Sequence, residues 1–367
     1  MSKFFITGVQ RSGTTLLAVL LERHPDILLE ERSIAFRFVS CFKSLYDILP
    51  FNLKVDQNEF LEWLVENDDR GRLAAILKSK SISSHQNIRD FIRHSIDQNL
   101  KESGKKIWGD KSPNLEYFLS DMMLLMPEAK FIHIVRDGRA VALSMSKRSS
   151  RNLLFSAQKW ADGNIFGLVN QRIIGKNQYK IIRYEDLLSD PELVMQSVCD
   201  FLELPYASSM LDLQASIGDD GQSYVKNYFD QTKIHQWKNV LSPKEIEKIE
   251  QIQGPILEQL GYQLQYKTSH RPLSVWRRIR YNQADNIRQL FRTKREGMVN
   301  RKKVDITIPF KNRVYIFLKV LSQDLMSMPI FKTLFSRVYY REKYYPRERR
   351  SNPSSTYEFD QSTSDQP

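Results

Sequence analysis

The chain has 367 residues, of which 41% are hydrophobic, and a formal net charge of +12, which fits a globular protein with one large domain plus an extension, or with two domains. Cys41 and Cys199 are the only cysteines, so the sequence excludes a disulfide framework and favours a reducing compartment. The first predicted strand starts at Lys3 and no apolar run reaches the ~18 residues of a membrane span, so we expect a cytoplasmic protein without a signal peptide.

Apolar strand-like runs alternate with helical patterns along the first 266 residues. This alternation predicts an α/β fold, a P-loop-type three-layer structure around a central and mostly parallel sheet. The predicted strands are Phe4–Gly8, Lys130–Val135 and Tyr179–Arg183. The predicted helices are Thr14–Arg23, Arg139–Lys147 and, within a helical insertion over 56–103, Glu59–Asn67 and Ile88–Leu100. A polar cluster follows each predicted strand, at the edge where open α/β sheets bind ligands.

The loop from Gly8 to Thr15 has the glycine spacing of a phosphate-binding P-loop. A strand, a glycine turn and a helix together direct backbone N–H groups at an anion. Thr14 stands where a nucleoside triphosphatase needs lysine, so we expect the transferred group not to be a phosphoryl group and Arg11 to supply the positive charge. A P-loop kinase is an alternative, but it should carry Gly-Lys-Ser/Thr and a magnesium-binding aspartate. The other alternative is a tight turn that binds no ligand.

A second polar cluster follows the strand that ends at Val135. Arg136 projects from the strand end, and on a helix Ser144 and Arg148 lie one turn apart on one face. These three side chains suit a phosphate, although an ordinary Arg-Asp turn is the alternative. Two phosphate-type sites at adjacent strand ends predict a nucleotide with phosphates on both its 5′ and 3′ sides.

Four motifs in one order resemble those of the sulfotransferases that use 3′-phosphoadenosine 5′-phosphosulfate (PAPS). They are Gly8–Leu17 with His24-Pro25, Trp108–Pro113, Phe131–Arg139 with Ser144, and Tyr184–Leu188 with Asp190–Glu192. The resemblance covers about residues 1–266 and is to the branch with the tyrosylprotein sulfotransferases and their bacterial relatives. It implies sulfuryl transfer from PAPS to an acceptor hydroxyl, with adenosine 3′,5′-bisphosphate (PAP) as the second product and no metal.

The resemblance also implies roles for individual residues. The 5′-phosphosulfate would be held by Arg11, Ser12, Gly13, Thr14 and Thr15. The 3′-phosphate would be held by Arg136, Ser144 and Arg148, and Tyr184 would contact the nucleotide. Lys111 matches the family position near the bridging oxygen, where a cation offsets charge on the leaving phosphate.

A glutamate beyond His24-Pro25 serves as the general base in this branch, and Glu31 is our choice. The usual spacing would place it at position 32, which is Arg32, so a one-residue deletion must be assumed and Glu30 is a competing candidate. An exposed acidic pair without a role is the further alternative. Lys233 and Trp237 fall where the family closes the nucleotide site, but their local pattern is too weak for a prediction.

The positive charge is concentrated in residues 267–350, with 22 Lys and Arg against 6 Asp and Glu. We expect a sulfotransferase domain over 1–266, a basic, partly folded extension over 267–350 and a disordered tail over 351–367. The extension would suit an anionic glycan or a membrane surface, with nucleic acid less favoured and a solvated charged face as the plain alternative.

The six histidines are scattered, so we expect no metal site. The acceptor is expected to be a glycan or a metabolite, with a peptide tyrosine also open. A non-catalytic nucleotide-binding protein with an anionic partner is the alternative to an enzyme.

Overall fold

The centre of the molecule is a five-stranded sheet in the order β2-β3-β1-β4-β5. The computed structural model describes residues 2–31, 33, 35–36, 39, 88–149, 151–212, 216–217, 223–224, 229–266 and 269–292. The strands are β1 Lys3–Thr7, β2 Ile27–Glu31, β3 Ile107–Lys111, β4 Lys130–Val135 and β5 Tyr179–Arg183. All four neighbouring pairs are parallel, which confirms the predicted α/β fold. A short antiparallel pair, β6 Ser216–Ile217 and β7 Ser223–Tyr224, forms a second sheet.

Helices cover both faces of the large sheet. They are α1 Thr14–Glu22, α2 Ile88–Glu102, α3 Leu119–Leu125, α4 Gly138–Ser149, α5 Leu153–Ile174, α6 Tyr184–Ser189, α7 Pro191–Leu202, α8 Pro243–Gln259 and α9 Val275–Arg292. Successive side chains of β1 enter opposite cores. Phe5 packs in one core with Ile96 of α2, whereas Ile6 packs in the other with Leu17 of α1 and Val198 of α7. Each such buried side chain contributes about 1.5–3 kcal/mol, so the two cores hold the three layers together.

Capping residues in the sequence fix where two of the helices begin. Asp190 accepts a hydrogen bond from the backbone N–H of Leu193 at 3.1 Å, and Pro191 is the first residue of α7. Ser242 and Glu245 form a reciprocal capping box at the start of α8. These contacts satisfy backbone donors that the first helical turn leaves free.

The strand order reverses at β1, which has β3 on one side and β4 on the other. In open α/β sheets the crevice beyond such a reversal point is the usual ligand site, because connections leave the two sides of the sheet in opposite directions. The loops after β1, β2, β3 and β4 all start at this edge, so the predicted site residues converge there.

The described residues fall into two compact units, one up to Arg278 and the other from Ile279 onward. The second unit is described only over 279–292, where it is helical. The predicted helix over 88–100 is present within α2, whereas that over 59–67 and the tail over 351–367 lie outside the described residues. The division into a domain, an extension and a tail stays a prediction. No helix within the described ranges is long and apolar enough to cross a membrane.

Candidate active site

The loop between β1 and α1 packs closely against its neighbours. Gly8 and Gly13 have φ angles of 139° and 105°, which favour glycine. A Cβ atom at Gly8 would lie 2.4 Å from the carbonyl oxygen of Ile134, and one at Gly13 would lie 2.4 Å from Cδ2 of Tyr184. Arg11 adopts a φ of 75°, which is uncommon for a residue other than glycine. Such strained backbone conformations cluster at ligand sites. Both glycines are therefore needed for the loop to lie against β4 and Tyr184.

The same loop presents polar groups suited to an anion. Ser12 is buried, and its Oγ has no hydrogen-bond partner among the described residues. Helix α1 begins at Thr14, and its N-cap residue Gly13 provides no side-chain acceptor for the first-turn amides. Free N–H groups at a helix N-terminus bind anions. The segment from Ser12 to Thr15 can therefore hold a phosphate or phosphosulfate group.

Three arginines meet beside this loop. Arg11 Nε donates to Ser144 Oγ at 3.1 Å, and Arg136 Nη1 donates to the carbonyl oxygen of Arg11 at 3.5 Å. The Arg136 guanidinium lies 4.4 Å from the centre of the Tyr184 ring. Burial lowers the pKa of Arg11, and the positive charges of Arg148 and Arg136 lower it further. The structure thus brings together four predicted residues, namely Arg11, Arg136, Ser144 and Tyr184, and places Arg148 near enough to act on Arg11 electrostatically. A bound anion would relieve the repulsion among the guanidinium groups.

In the part of the chain that the structure describes, Arg136 keeps one donor without a protein acceptor. Its Nη2 donates to the carbonyl oxygen of Lys233 at 3.2 Å, whereas its buried Nε has no partner among the described residues. The Lys233 side chain instead pairs with Asp230 at 3.3 Å. Trp237 is buried, with its ring 4.1 Å below the guanidinium of Arg139. The segment with Lys233 and Trp237 therefore contacts Arg136 through a backbone carbonyl and Arg139 through a packed ring.

The second arginine after β4 is neutralised by carboxylates. Arg139 is buried and pairs with Asp137 at 2.8 Å and with Glu250 at 2.6 Å. Glu185 Oε1 accepts the backbone N–H of Asp137 at 2.9 Å and so holds the turn in place. Arg139 therefore anchors the turn, and Arg136 is the arginine of this turn that faces the loop.

Glu31 and Lys111 are the last residues of two neighbouring strands and lie opposite each other in register. Their side chains form an ion pair between Lys111 Nζ and Glu31 Oε1. Lys111 Nζ also lies 3.4 Å from Thr15 Oγ1 in the loop. The Lys111 side chain is 10% exposed and that of Glu31 is 52% exposed. Lys111 thus connects a solvent-accessible carboxylate to the anion-binding loop.

Glu30 lies apart from this pair. Because side chains alternate along a strand, Glu30 faces the opposite side of β2 from Glu31. Its Oε1 accepts a hydrogen bond from Asn99 Nδ2 of α2 at 3.1 Å. Of the two adjacent glutamates, the structure places Glu31 beside Lys111.

Asp110 is a buried carboxyl group that sequence reasoning missed. It accepts hydrogen bonds from Ser33 Oγ at 2.7 Å, from Ser33 N at 3.2 Å and from Ser112 Oγ at 3.0 Å. Burial raises the pKa of Asp110 to about 7. The group ties the chain just after Glu31 to the chain just after Lys111. The sequence could have signalled it only as a polar residue at the end of a strand.

Known proteins resemble this chain both in sequence and in fold. A family model described as "Sulfotransferase family" matches residues 3–208, more than half of the chain. The chain belongs to the sulfotransferase family. It is therefore a sulfotransferase, an enzyme of sulfuryl transfer, as the four motifs predicted.

Over the aligned regions, individual relatives are about a quarter identical to this sulfotransferase. Protein-tyrosine sulfotransferase 1 of Danio rerio is 24% identical over 279 residues, 71% of this chain and 72% of the relative. Nodulation protein NoeE of Sinorhizobium fredii is 25% identical over 293 residues, 71% of this chain and 65% of the relative. The solved sulfotransferase domain of the Curacin biosynthetic pathway shares the fold, with a TM-score of 0.50, 23% identity and coverage of 72% and 99%.

Proposed function

We propose that this sulfotransferase uses PAPS as its donor and transfers the sulfuryl group to an acceptor hydroxyl. The single observation that carries the proposal is the meeting of two anion-binding sets at one sheet edge: the loop from Arg11 to Thr15, and Arg136 with Ser144. A donor with phosphate groups on both its 5′ and 3′ sides uses both sets at once.

Two buried polar atoms at the site fit such a donor, because each lacks a hydrogen-bond partner in the described part of the chain. The orphaned Ser12 Oγ and the orphaned Arg136 Nε are buried donors that lack a protein acceptor in the described part of the chain. A buried donor left unpaired costs about 1–3 kcal/mol, which a ligand oxygen removes. Gly13 allows the loop to pack against Tyr184, where any side chain would collide with the ring.

When bound, the donor supplies an electrophilic sulfur and a phosphate leaving group. Glu31 takes the proton from the acceptor hydroxyl as the new sulfur–oxygen bond forms and the bond to the bridging oxygen breaks. Lys111, placed between Glu31 and Thr15, offsets the negative charge that grows on the departing phosphate. Arg11 adds a second positive charge on the loop side. Orientation and electrostatics supply the acceleration, and no step in this scheme uses a metal.

The exposed side of Glu31 is where an acceptor would reach the base. The sequence favoured a glycan or a metabolite, whereas relatives named protein-tyrosine sulfotransferases favour a tyrosine hydroxyl. We propose a tyrosine-containing peptide as the first acceptor to test and a glycan as the second. The cytoplasmic location and the anionic partner of residues 267–350 stay predictions from the sequence.

The donor proposal is tested by calorimetric titration of the full chain with PAP, AMP and ATP in the presence of a chelator. We expect micromolar binding of PAP that depends on its 3′-phosphate. AMP lacks this phosphate, so Arg136 and Ser144 would have no group to bind in AMP. Equal affinity for PAP and AMP would overturn the two-phosphate site. A separate titration with ATP and magnesium, without the chelator, tests the kinase alternative, and tighter binding of ATP than of PAP there would support it.

A further inference from the structure

A buried glutamate lies at the start of the donor loop. Glu116 is 1% exposed, and its Oε2 accepts hydrogen bonds from Thr7 Oγ1 at 2.5 Å and from Gly8 N at 3.3 Å. Its own backbone N–H donates to Thr7 Oγ1 at 3.0 Å, and the N–H of Asn114 donates to the carbonyl oxygen of Gly8 at 3.1 Å. Both backbone groups of Gly8, the first residue of the loop, are therefore bonded to the segment that contains Glu116.

Helix α5 closes the other side of this carboxyl group. Asn170 Nδ2 donates to the carbonyl oxygen of Glu116 at 2.8 Å. A Cβ atom at Gly163 would lie 2.9 Å from Glu116 Oε1 and 2.5 Å from a methyl group of Val9. The strand, the loop and the helix thus all meet at Glu116, which leaves the carboxyl group little freedom to move.

The surroundings of Glu116 disfavour its charged form. Within the described residues no positive side chain pairs with it, and the titratable groups that face it are Tyr117 and Tyr179, with the Asp162–Arg278 ion pair beyond Tyr117. Burial raises the pKa of Glu116 to about 7, although its hydrogen bond from Thr7 opposes that rise. An ionised Glu116 would place a negative charge against the amide of a loop that must itself hold an anion.

We propose that Glu116 is a positioning residue of the donor loop: it holds Thr7 and Gly8 in place for donor binding, and its ionisation, which adds a negative charge beside the anion-binding loop, weakens that binding. The inference rests on the proposed donor site. It makes the affinity of that site for the donor depend on pH, through a residue that does not itself contact the donor.

The test is titration of the full chain with PAP between about pH 6 and pH 8, comparing wild type with Glu116→Gln. Glutamine keeps the acceptor oxygen but cannot ionise. The phosphates of PAP titrate equally in both proteins, so the ratio of the two dissociation constants isolates residue 116. We expect wild type to lose up to about tenfold in affinity relative to the variant across this range, because only the neutral fraction binds well. A ratio that stays constant with pH would overturn the proposal.

Two further variants keep the test decisive. Thr7→Val removes the hydrogen bond that lowers the pKa of Glu116, so the fall in affinity should move to higher pH, a shift that a purely structural role would not produce. This variant also carries the test if Glu116→Gln does not fold. Glu203→Gln is the control, since Glu203 is a carboxylate that pairs with Lys130 at 2.7 Å, at the opposite end of β4 from the loop. Its pH curve should follow wild type, and a curve like that of Glu116→Gln would contradict a specific role for Glu116.

Failure of this inference is distinguishable from failure of the donor proposal. Wild type that prefers PAP over AMP but shows no dependence on Glu116 overturns only the role of Glu116. Wild type that shows no such preference at any pH overturns the donor site itself, and the role of Glu116 with it.

Discussion

Replacing Arg136 by glutamine should remove recognition of the 3′-phosphate while leaving the rest of the donor site intact. The Arg136 guanidinium is fixed by the Tyr184 ring at 4.4 Å and by two backbone carbonyls, and its buried Nε has no partner in the described chain. The side chain is thus held in place with a donor to spare. Glutamine keeps a hydrogen-bonding group but loses the charge and the planar fork.

The size of the effect follows from the contact that is lost. A hydrogen bond to a charged group contributes about 1.5–3 kcal/mol, so PAP should bind about 10- to 100-fold more weakly to Arg136→Gln. AMP lacks the 3′-phosphate, and its affinity should change little. Arg136→Lys, which keeps the charge but not the fork, should fall between wild type and Arg136→Gln.

Calorimetric titration of the three proteins with PAP and AMP measures this difference directly. The ratio of PAP to AMP affinity cancels any general damage to the loop. An equal loss for both ligands would mean that Arg136 acts only by supporting the carbonyl of Arg11. No loss for either ligand would refute the assignment of the 3′-phosphate to this turn.

Three further perturbations follow from the structure. Gly13→Ala should weaken PAP binding about tenfold or more by calorimetry, because the new Cβ meets Tyr184 and the φ angle of 105° is strained for alanine; unchanged binding would contradict the tight loop. Lys111→Met should lower turnover about 100- to 1000-fold with PAP affinity kept, since it removes charge stabilisation of the leaving phosphate; equal losses in both would assign Lys111 to binding. Burial lowers the pKa of His133 to about 4, so between that pH and its unfolded pKa only the unfolded chain is protonated and stability falls as the pH falls. Urea unfolding at pH 7 and pH 5 should therefore show about 2 kcal/mol more loss for wild type than for His133→Gln, and parallel losses would show that His133 titrates normally.

Periodicity and glycine placement in the sequence predicted much of the fold. The strands over 130–135 and 179–183 have the predicted bounds, because each is a short apolar run bounded by polar turns. The first strand lies at Lys3–Thr7; it starts at Lys3 as expected and is shifted by one residue from the apolar run Phe4–Gly8. Strands β2 and β3 were not predicted. They contain the polar residues Glu30, Glu31 and Asp110, which interrupt the apolar pattern of a strand and are brought into register only by the pairing of the two strands.

The motifs named residues that lie together in the structure, whereas the residues that support them were not predicted. Arg11, Ser144, Arg136 and Tyr184 meet as their motifs implied, because each follows a parallel strand at the same edge. The choice between Glu31 and Glu30 needed the alternation of side chains on β2, which no motif records. Glu116 could not be found from the sequence, since a glutamate that is fully buried looks like any surface glutamate until its partners on β1 and α5 are known.

We propose that Glu31 takes the acceptor's proton beside Lys111. The most direct measurement is transfer of labelled sulfate from PAPS to an acceptor chosen from tyrosine peptides and glycans, by wild type, Glu31→Gln and the neighbouring control Glu30→Gln. We predict that Glu31→Gln loses about 100- to 10,000-fold in turnover while its affinity for PAP is kept, and that Glu30→Gln, which faces Asn99, remains active. Normal transfer by Glu31→Gln with loss in Glu30→Gln would show that Glu30, and not Glu31, is the base.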